Sequence, residues 1–402
     1  MEAQAAACGG VTAPRGFKAA GVHAGLKPNR PDMALIYSEA PAAAAGVFTS
    51  NRVKAAPVRL DARKLRAGRA QAVIINSGNA NACTGRQGAK DAARMADLTA
   101  AALRINPALV CVCSTGTIGR PLPMDVIAAG ITRAAGDLDA AHGARAARAI
   151  MTTDTRPKEA VLRLEIDGQT VTLGGMAKGS GMISPNMATM LGFITTDAAV
   201  EPRALRAALR QAVRDSFNCI TVDGDQSTND TVICLANGRA GNRLLQPGHR
   251  CWRAFCRALS QLALELALMI VKDGEGATKL VTVTVRNAAS RSAALCVARA
   301  VAQSPLVKTS WFGADPNWGR VICAIGYAGV PVRPEKIDIA YNGLPAVSRG
   351  QSAGLSESDL HAVIRRPEFS VEIDLHQGRA VGTIYTCDYS DQYIAINADY
   401  MT

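Results

Sequence analysis

Val281-Thr282-Val283-Thr284-Val285 alternates apolar and polar positions, the mark of a strand with one buried face. Elsewhere apolar positions return every three or four residues, which predicts helices over Asp91–Arg104, Met124–Ala135, Asp139–Met151, Pro202–Asp215, Arg253–Val271 and Ser292–Ser304. Short apolar runs predict strands over Gln71–Asn76, Ala108–Ser114, Ala160–Ile166, Thr170–Leu173, Thr189–Thr196 and Thr231–Leu235. Three more are expected over Val321–Tyr327, Lys336–Tyr341 and Phe369–Ile373. Strands alternate with helices through the first half, so the expected class is α/β, with α and β elements in layers. The change of texture near residue 280 suggests a larger domain over 1–280 and a smaller α/β domain over 281–402. No repeat of fixed period and no long polar linker interrupts the chain.

The 402 residues are 48% hydrophobic but only 4% aromatic, so the core has to pack backbones closely through Ala, Val, Leu and Ile. The apolar stretch around Leu262–Val271 carries Glu265 and is too short to span a bilayer, and the N-terminus lacks a secretory pattern. A cytoplasmic protein without a membrane partner is expected. Eleven cysteines without a CxxC pair fit buried free thiols in a reducing compartment, and no metal site is expected. Cys111 and Cys113 share one face of a strand. The charge of +12 is dispersed, as in Arg203, Arg206, Arg210 and Arg214 on a solvated helix face. With so few aromatics this is no nucleic-acid platform, and attraction of anionic metabolites is the simpler use.

Histidines occur singly, and HExxH, GxSxG and Walker A sequences are absent. Asp223-Gly224-Asp225-Gln226-Ser227 fails as a calcium loop, with Thr228 at the sixth position and Cys234 at the twelfth. It reads as a polar turn before the Thr231 strand. The segment Lys178-Gly179-Ser180-Gly181-Met182-Ile183-Ser184-Pro185-Asn186-Met187-Ala188-Thr189 carries more information. Its glycines permit positive φ, its Pro-Asn pair is a turn, and Thr189 opens an apolar strand. A hydroxyl so placed can attack the carbonyl of Ala188, shift the acyl group from nitrogen to oxygen and be released by water. The freed amine, with a reference pKa of about 7.7–8.0, would then serve as base to its own hydroxyl. Read alone, the commoner meaning of such a threonine is a hydroxyl bonded to local backbone. Ser114-Thr115-Gly116-Thr117 follows a strand with donors free to face a developing negative charge. Lys178 and the Asp273-Gly274-Glu275-Gly276 turn add a cation and a carboxylate, each with an ordinary structural explanation as well.

Several segments together resemble one family. Asn76-Ser77-Gly78-Asn79-Ala80-Asn81-Ala82, Ser114-Thr115-Gly116, Met151-Thr152-Thr153-Asp154-Thr155, the stretch from Lys178 to Leu191, Asp273-Gly274-Glu275-Gly276, Asp315-Pro316-Asn317-Trp318-Gly319-Arg320 and Ile396-Asn397-Ala398-Asp399-Tyr400 are similar, in order, to the ornithine acetyltransferase (glutamate N-acetyltransferase) family of arginine biosynthesis. Ser184 departs from the alanine usual there. The resemblance implies that family's fold, related to a self-processing aminopeptidase and convergent with N-terminal-nucleophile hydrolases. It implies cleavage between Ala188 and Thr189 into an α chain (1–188) and a β chain (189–402), assembled as α2β2. Thr189 would carry acetyl from N2-acetylornithine to glutamate in a ping-pong cycle. Thr115 and Gly116 match the oxyanion pair, and Thr155, Lys178, Thr189, Glu275, Asn397 and Thr402 match substrate contacts, with the C-terminal tail returning to the site. No cofactor is implied, and use of acetyl-CoA as a second donor is left open. An aminopeptidase or amidase of the same fold, with water as acceptor, is the competing reading.

Overall fold

A computed structural model describes residues 4–5, 9–184 and 190–399. Ala188, Thr189 and Thr402 lie outside the described residues. The described residues form two compact units, one within 1–218 and 225–270 and the other within 219–224 and 271–399.

The first unit is built on a mixed nine-stranded sheet: β1 (Gln4–Ala5), β2 (Phe17–Val22), β3 (Met33–Phe48), β4 (Arg69–Asn79), β5 (Val110–Thr117), β6 (Lys158–Ile166), β7 (Gln169–Lys178), β8 (Leu191–Thr196) and β9 (Thr231–Ala236). The order is β1-β6-β7-β8-β9-β3-β4-β5, with β2 on β3. The long β3 joins the two halves. Its first part pairs with β2 and β4, the register shifts between Tyr37 and Ala42, and its alanine-rich second part pairs with β9. Among the described residues, β4–β5 and β8–β9 are the parallel pairs of this sheet.

Alternation buries both faces. Val73, Ile75, Cys111 and Cys113 face a core shared with helix α4 (Gly143–Ala149), while Ala72, Ile74, Val110 and Val112 face α1 (Ala56–Lys64), α2 (Gly85–Leu103) and α3 (Met124–Gly136). The helix expected over Asp139–Met151 is shorter because Asp139 instead exchanges backbone hydrogen bonds with Ala19 of β2, and α4 starts four residues on. α5 (Pro202–Arg214) is capped by the Glu201 carboxylate, which accepts from the Ala204 N–H. α6 (Trp252–Lys272) is longer than the apolar stretch suggested, and by length and composition alone could cross a bilayer. Here it is a core helix. Phe255, Leu259, Leu262, Leu266 and Ile270 recur on one buried face, and a side chain on Gly175 of β7 would strike Leu266.

The second unit has a six-stranded sheet in the order β13 (Gln351–Ser352), β12 (Leu344–Ser348), β11 (Asp338–Tyr341), β14 (Glu368–Asp374), β10 (Leu280–Ala288), β15 (Ala380–Cys387). The valines of the alternating run are buried against α7 (Arg291–Gln303), α8 (Pro305–Phe312), α9 (Trp318–Gly326) and α10 (Glu357–Ile364). α9 corrects the strand expected over Val321–Tyr327. A short continuous apolar run has no diagnostic period, but Asn317 accepts from the Arg320 N–H as a helix cap, and Val321, Ala324 and Ile325 are buried at helical spacing. α11 (Asp391–Asp399) follows β15. The layered α/β arrangement expected from the pattern is the one observed.

Candidate active site

In the first unit the site grows from the ends of β4, β5 and β7 and the start of β8. Gly116 lies in β5 with φ +130°, beside Gly78 of β4 with φ +108°; a Cβ on Gly116 would sit 2.3 Å from the Gly78 carbonyl carbon. Only glycine allows both that backbone conformation and that approach. The Ser114–Thr117 stretch is therefore still paired strand rather than the loop that its sequence suggests. Asn229 fixes it from the far side, donating to the carbonyls of Ala80 (2.6 Å) and Ser114 (2.8 Å), while the Ser114 hydroxyl donates to Asn76 (2.6 Å).

Lys178 ends β7 and is almost wholly buried. Its Nζ donates to the Thr152 hydroxyl at 2.6 Å, reaches Thr115 Oγ1 at 3.5 Å and lies 3.9 Å from Asp154 Oδ2. Asp154 organises the cluster: Oδ1 accepts from Lys158 Nζ (2.6 Å) and the Gly179 N–H (2.7 Å), and Oδ2 from the Thr152 N–H (3.0 Å). Burial by itself pushes this carboxyl up. The charges of Lys178 and Lys158, with the hydrogen bonds from Lys158 and Gly179, overcome that and hold it well below the usual carboxylate range. Lys27 stands nearby, bonded to the Met151 carbonyl at 2.8 Å, and is brought down to about 8 by burial, then by Arg30 and Lys178. Thr155 is on the exposed side of the same loop.

Leu191 pairs with Lys178 across β7–β8, so Met190, just before β8, lies at the end of the sheet that carries Lys178. Ser184 and Met190, which flank the undescribed residues, are both buried. The Met190 N–H donates at 2.8 Å to Oδ1 of Asp230, the residue just before β9. Asp230 is fully buried, and its Oδ2 has no hydrogen bond among the described residues. Burial drives this carboxyl far above the ordinary range, against the Met190 hydrogen bond.

In the second unit, Glu275 is buried on the turn after α6, and its Oε2 accepts from Asn397 Nδ2 of α11 at 2.9 Å. Gly276, at φ +69°, lets the start of α11 approach: a Cβ there would meet Ser390 Oγ and the Tyr393 nitrogen, both at 2.6 Å.

The structure thus brings Thr115, Gly116 and Lys178 together, and pairs Glu275 with Asn397. Asp154, Thr152, Lys158, Asn229 and Asp230 were not singled out from the sequence. Asp154 lay inside a recognised segment and Asp230 just before the Thr231 strand, but the partners that tie them to the site, Lys178 and Gly179 for Asp154 and Met190 for Asp230, are 24 to 40 residues away. A carboxylate, an imidazole and a thiol also meet at Asp167, His249 and Cys251, with ligand atoms within 4.8 Å. Sequence spacing had not suggested this group. Its bonds are already made: His249 Nε2 meets Asp167 at 3.0 Å, the Cys251 N–H donates to Nδ1 at 3.1 Å, and Arg250 pairs with Asp167.

The family model of ArgJ matches residues 18–402. The chain belongs to the ArgJ family. Among curated ArgJ relatives, the arginine biosynthesis bifunctional protein ArgJ of Symbiobacterium thermophilum is 54% identical over 98% of this chain and 99% of its own length. That of Geobacter sulfurreducens is 49% identical over 96% and 99%. The crystal structure of arginine biosynthesis bifunctional protein argJ from Bacillus halodurans matches with a TM-score of 0.52 at 44% identity, covering 53% of this chain and 100% of that one. The glycines and buried polar groups at the ends of β4, β5 and β7 therefore sit in an ArgJ framework.

Proposed function

We propose that the chain cleaves itself between Ala188 and Thr189 and that Thr189 then carries acetyl from N2-acetyl-L-ornithine to L-glutamate, releasing L-ornithine and N-acetyl-L-glutamate. The observation that carries this reading is the position of Thr189 in the chain. It directly precedes an amide fixed by Asp230, at the sheet edge where Lys178 and Thr115 meet. ArgJ membership and the names of its relatives, which place them in arginine biosynthesis and describe them as bifunctional, support it. The Bacillus halodurans chain supports the cleavage, since its whole length aligns with 53% of this chain, the share that residues 189–402 occupy.

In the first step the Thr189 hydroxyl attacks the Ala188 carbonyl, the C–N bond breaks and water releases the ester, leaving a free amine on Thr189. In each turnover that amine takes the hydroxyl proton as Oγ1 attacks the acetyl carbonyl. Thr115 and Gly116 face the resulting oxyanion. The proton passes to the departing ornithine amine, and glutamate reverses the sequence. Lys158, Lys178 and Asp154 together carry one net positive charge, suited to a substrate carboxylate. Thr155, Glu275, Asn397 and Thr402 are assigned to substrate by the resemblance. The reaction calls for no metal or organic cofactor, and we place it in the cytoplasm, in an α2β2 assembly.

A paired assay tests this: N-acetylglutamate formation from glutamate with acetylornithine, and separately with acetyl-CoA. Acetylornithine-driven formation is expected; acetate release independent of glutamate would instead mark an amidase.

A further inference from the structure

Lysines are rarely buried without hydrogen-bonded partners. Lys308 of α8 is fully buried in the second unit, and the acyl-transfer scheme gives it no part. Its partners lie within one run, residues 386–389, where β15 ends. Nζ donates to Thr386 Oγ1 at 3.0 Å and to the Cys387 carbonyl, lies 3.6 Å from Cys387 Sγ, and stands 4.7 Å from the centre of the Tyr389 ring. Thr386 can accept because its own hydroxyl hydrogen goes to the Ala302 carbonyl of α7 at 3.1 Å. The Tyr389 N–H donates in turn to the Lys308 carbonyl at 3.2 Å. Burial brings the ammonium below the ordinary lysine range, against Cys387, Asp388 and Asp223. An apolar side chain would fill the same space without that penalty, so stability alone does not account for the cation.

What this run holds is the turn that carries Glu275. Asp388 is buried; its Oδ1 accepts from the N–H groups of Thr278 (2.8 Å) and Lys279 (2.9 Å), and its Oδ2 from the Thr278 hydroxyl. The Ser390 hydroxyl donates to the Gly276 carbonyl at 2.6 Å. From Asp391 the chain enters α11, most of which is exposed, Ile394 at 70%. Apolar burial therefore does little to fix this helix, and its polar and aromatic anchors do. Tyr393 stacks on Tyr389 with ring centres 4.8 Å apart. Its carbonyl accepts at 2.9 Å from Asn397 Nδ2, the same amide nitrogen that donates to Glu275 Oε2. A continuous series of contacts thus runs from Lys308 through Tyr389, Tyr393 and Asn397 to Glu275, all of it inside the second unit.

We propose that Lys308 is a positioning residue for the transfer: its ammonium gathers residues 386–389, and these set Asn397 of α11 against Glu275 in the arrangement that receives substrate. The inference rests on the assignment of those two residues to substrate above and adds what fixes them. Lys308, being buried, meets no substrate and moves no proton of the reaction. Removing it loosens the pair and leaves the nucleophile and the oxyanion pair unchanged, so the loss falls on binding more than on the chemical step.

The test is steady-state kinetics of the full-length enzyme with acetylornithine and glutamate, together with amide hydrogen exchange. Lys308→Met keeps the length of the side chain and removes its charge and donors; wild-type protection of β4 and β5 reports that the variant is folded. Its KM should rise about tenfold or more with kcat within about threefold of wild type. The amides of Thr278, Lys279 and α11 should exchange about tenfold faster. Thr386→Val, which removes one acceptor and keeps the shape, should shift both in the same direction to a smaller degree, and it carries the same judgement if Lys308→Met does not fold. A double-mutant cycle separates positioning from general stability. In Lys308→Met/Asn397→Ala the rise in KM should fall short of the product of the two single rises by about threefold or more, because Lys308 acts through Asn397. Rises that simply multiply would overturn the proposal. So would a wild-type KM, a loss confined to kcat, or unchanged exchange at Thr278, Lys279 and α11. Wild-type transfer by Asn397→Ala alone would remove Asn397 from substrate binding, while the exchange still judges whether Lys308 holds the pair.

Discussion

Asp154→Asn should expose how far the site depends on one buried carboxylate. Asp154 is shared by two buried ammonium groups, Lys158 at 2.6 Å and Lys178 at 3.9 Å, and accepts two backbone N–H groups. Asparagine keeps the shape but not the charge, and its amide nitrogen turns a donor toward partners that are themselves donors. Breaking a buried ion pair by removing one partner costs about 3–5 kcal/mol, because the remaining charge stays desolvated. For a unit of this size that corresponds to a melting temperature lower by on the order of 10 °C. The folded-state pKa of Asp154 is depressed, so its contribution is present above its unfolded value of about 3.9 and is lost as pH falls through the folded one. The gap between wild type and variant, read by urea unfolding, should therefore be full at pH 7 and narrow in acid. Asp154→Asn/Lys158→Met removes one orphaned cation and should recover part of the loss. A single variant within about 1 kcal/mol of wild type at pH 7, or a double variant with no recovery, would refute the electrostatic account.

Gly116→Ala should destabilise the protein by about 3 kcal/mol or more and weaken the β4–β5 pairing, measurable by amide exchange at residues 77–79, since its Cβ would collide with backbone at a positive φ. Asp61 is buried, accepts from the Val112 N–H at 3.0 Å, and is pushed up to about 8 by desolvation. A carboxyl raised in the fold favours folding below its unfolded pKa and loses that contribution as pH rises toward 8, so Asp61→Asn should gain on wild type in urea melts from about pH 4 upward. Asp230→Ala removes the acceptor of the Met190 N–H, which an asparagine would keep, and should slow the appearance of cleaved chains in a time course. Cleavage at the wild-type rate would show that the Met190 anchor plays no part in positioning the scissile bond.

The sequence reached the architecture where periodicity is strong, as in the valine–threonine alternation of β10 and the apolar stripe of α6. It failed at Val321–Tyr327, where a continuous apolar run is compatible with either element and the cap at Asn317 decides. Length was underread in β7, which continues through Gly174 and Gly175 to Lys178, because a strand's pairing partners can carry it through residues of low propensity. Thr115, Gly116 and Lys178, which lie together in the structure, were singled out by motif. Asp154 and Asp230 were not, since a buried carboxylate is distinguished by distant partners rather than by its neighbours in sequence.

The central claim is tested most directly by intact mass of purified protein before and after incubation with N2-acetylornithine. The account predicts two chains, 1–188 and 189–402, with a single added acetyl group on the second that glutamate removes, and an uncut, unmodified Thr189→Ala variant. One uncut species of 42.0 kDa that nonetheless transfers acetyl would contradict it.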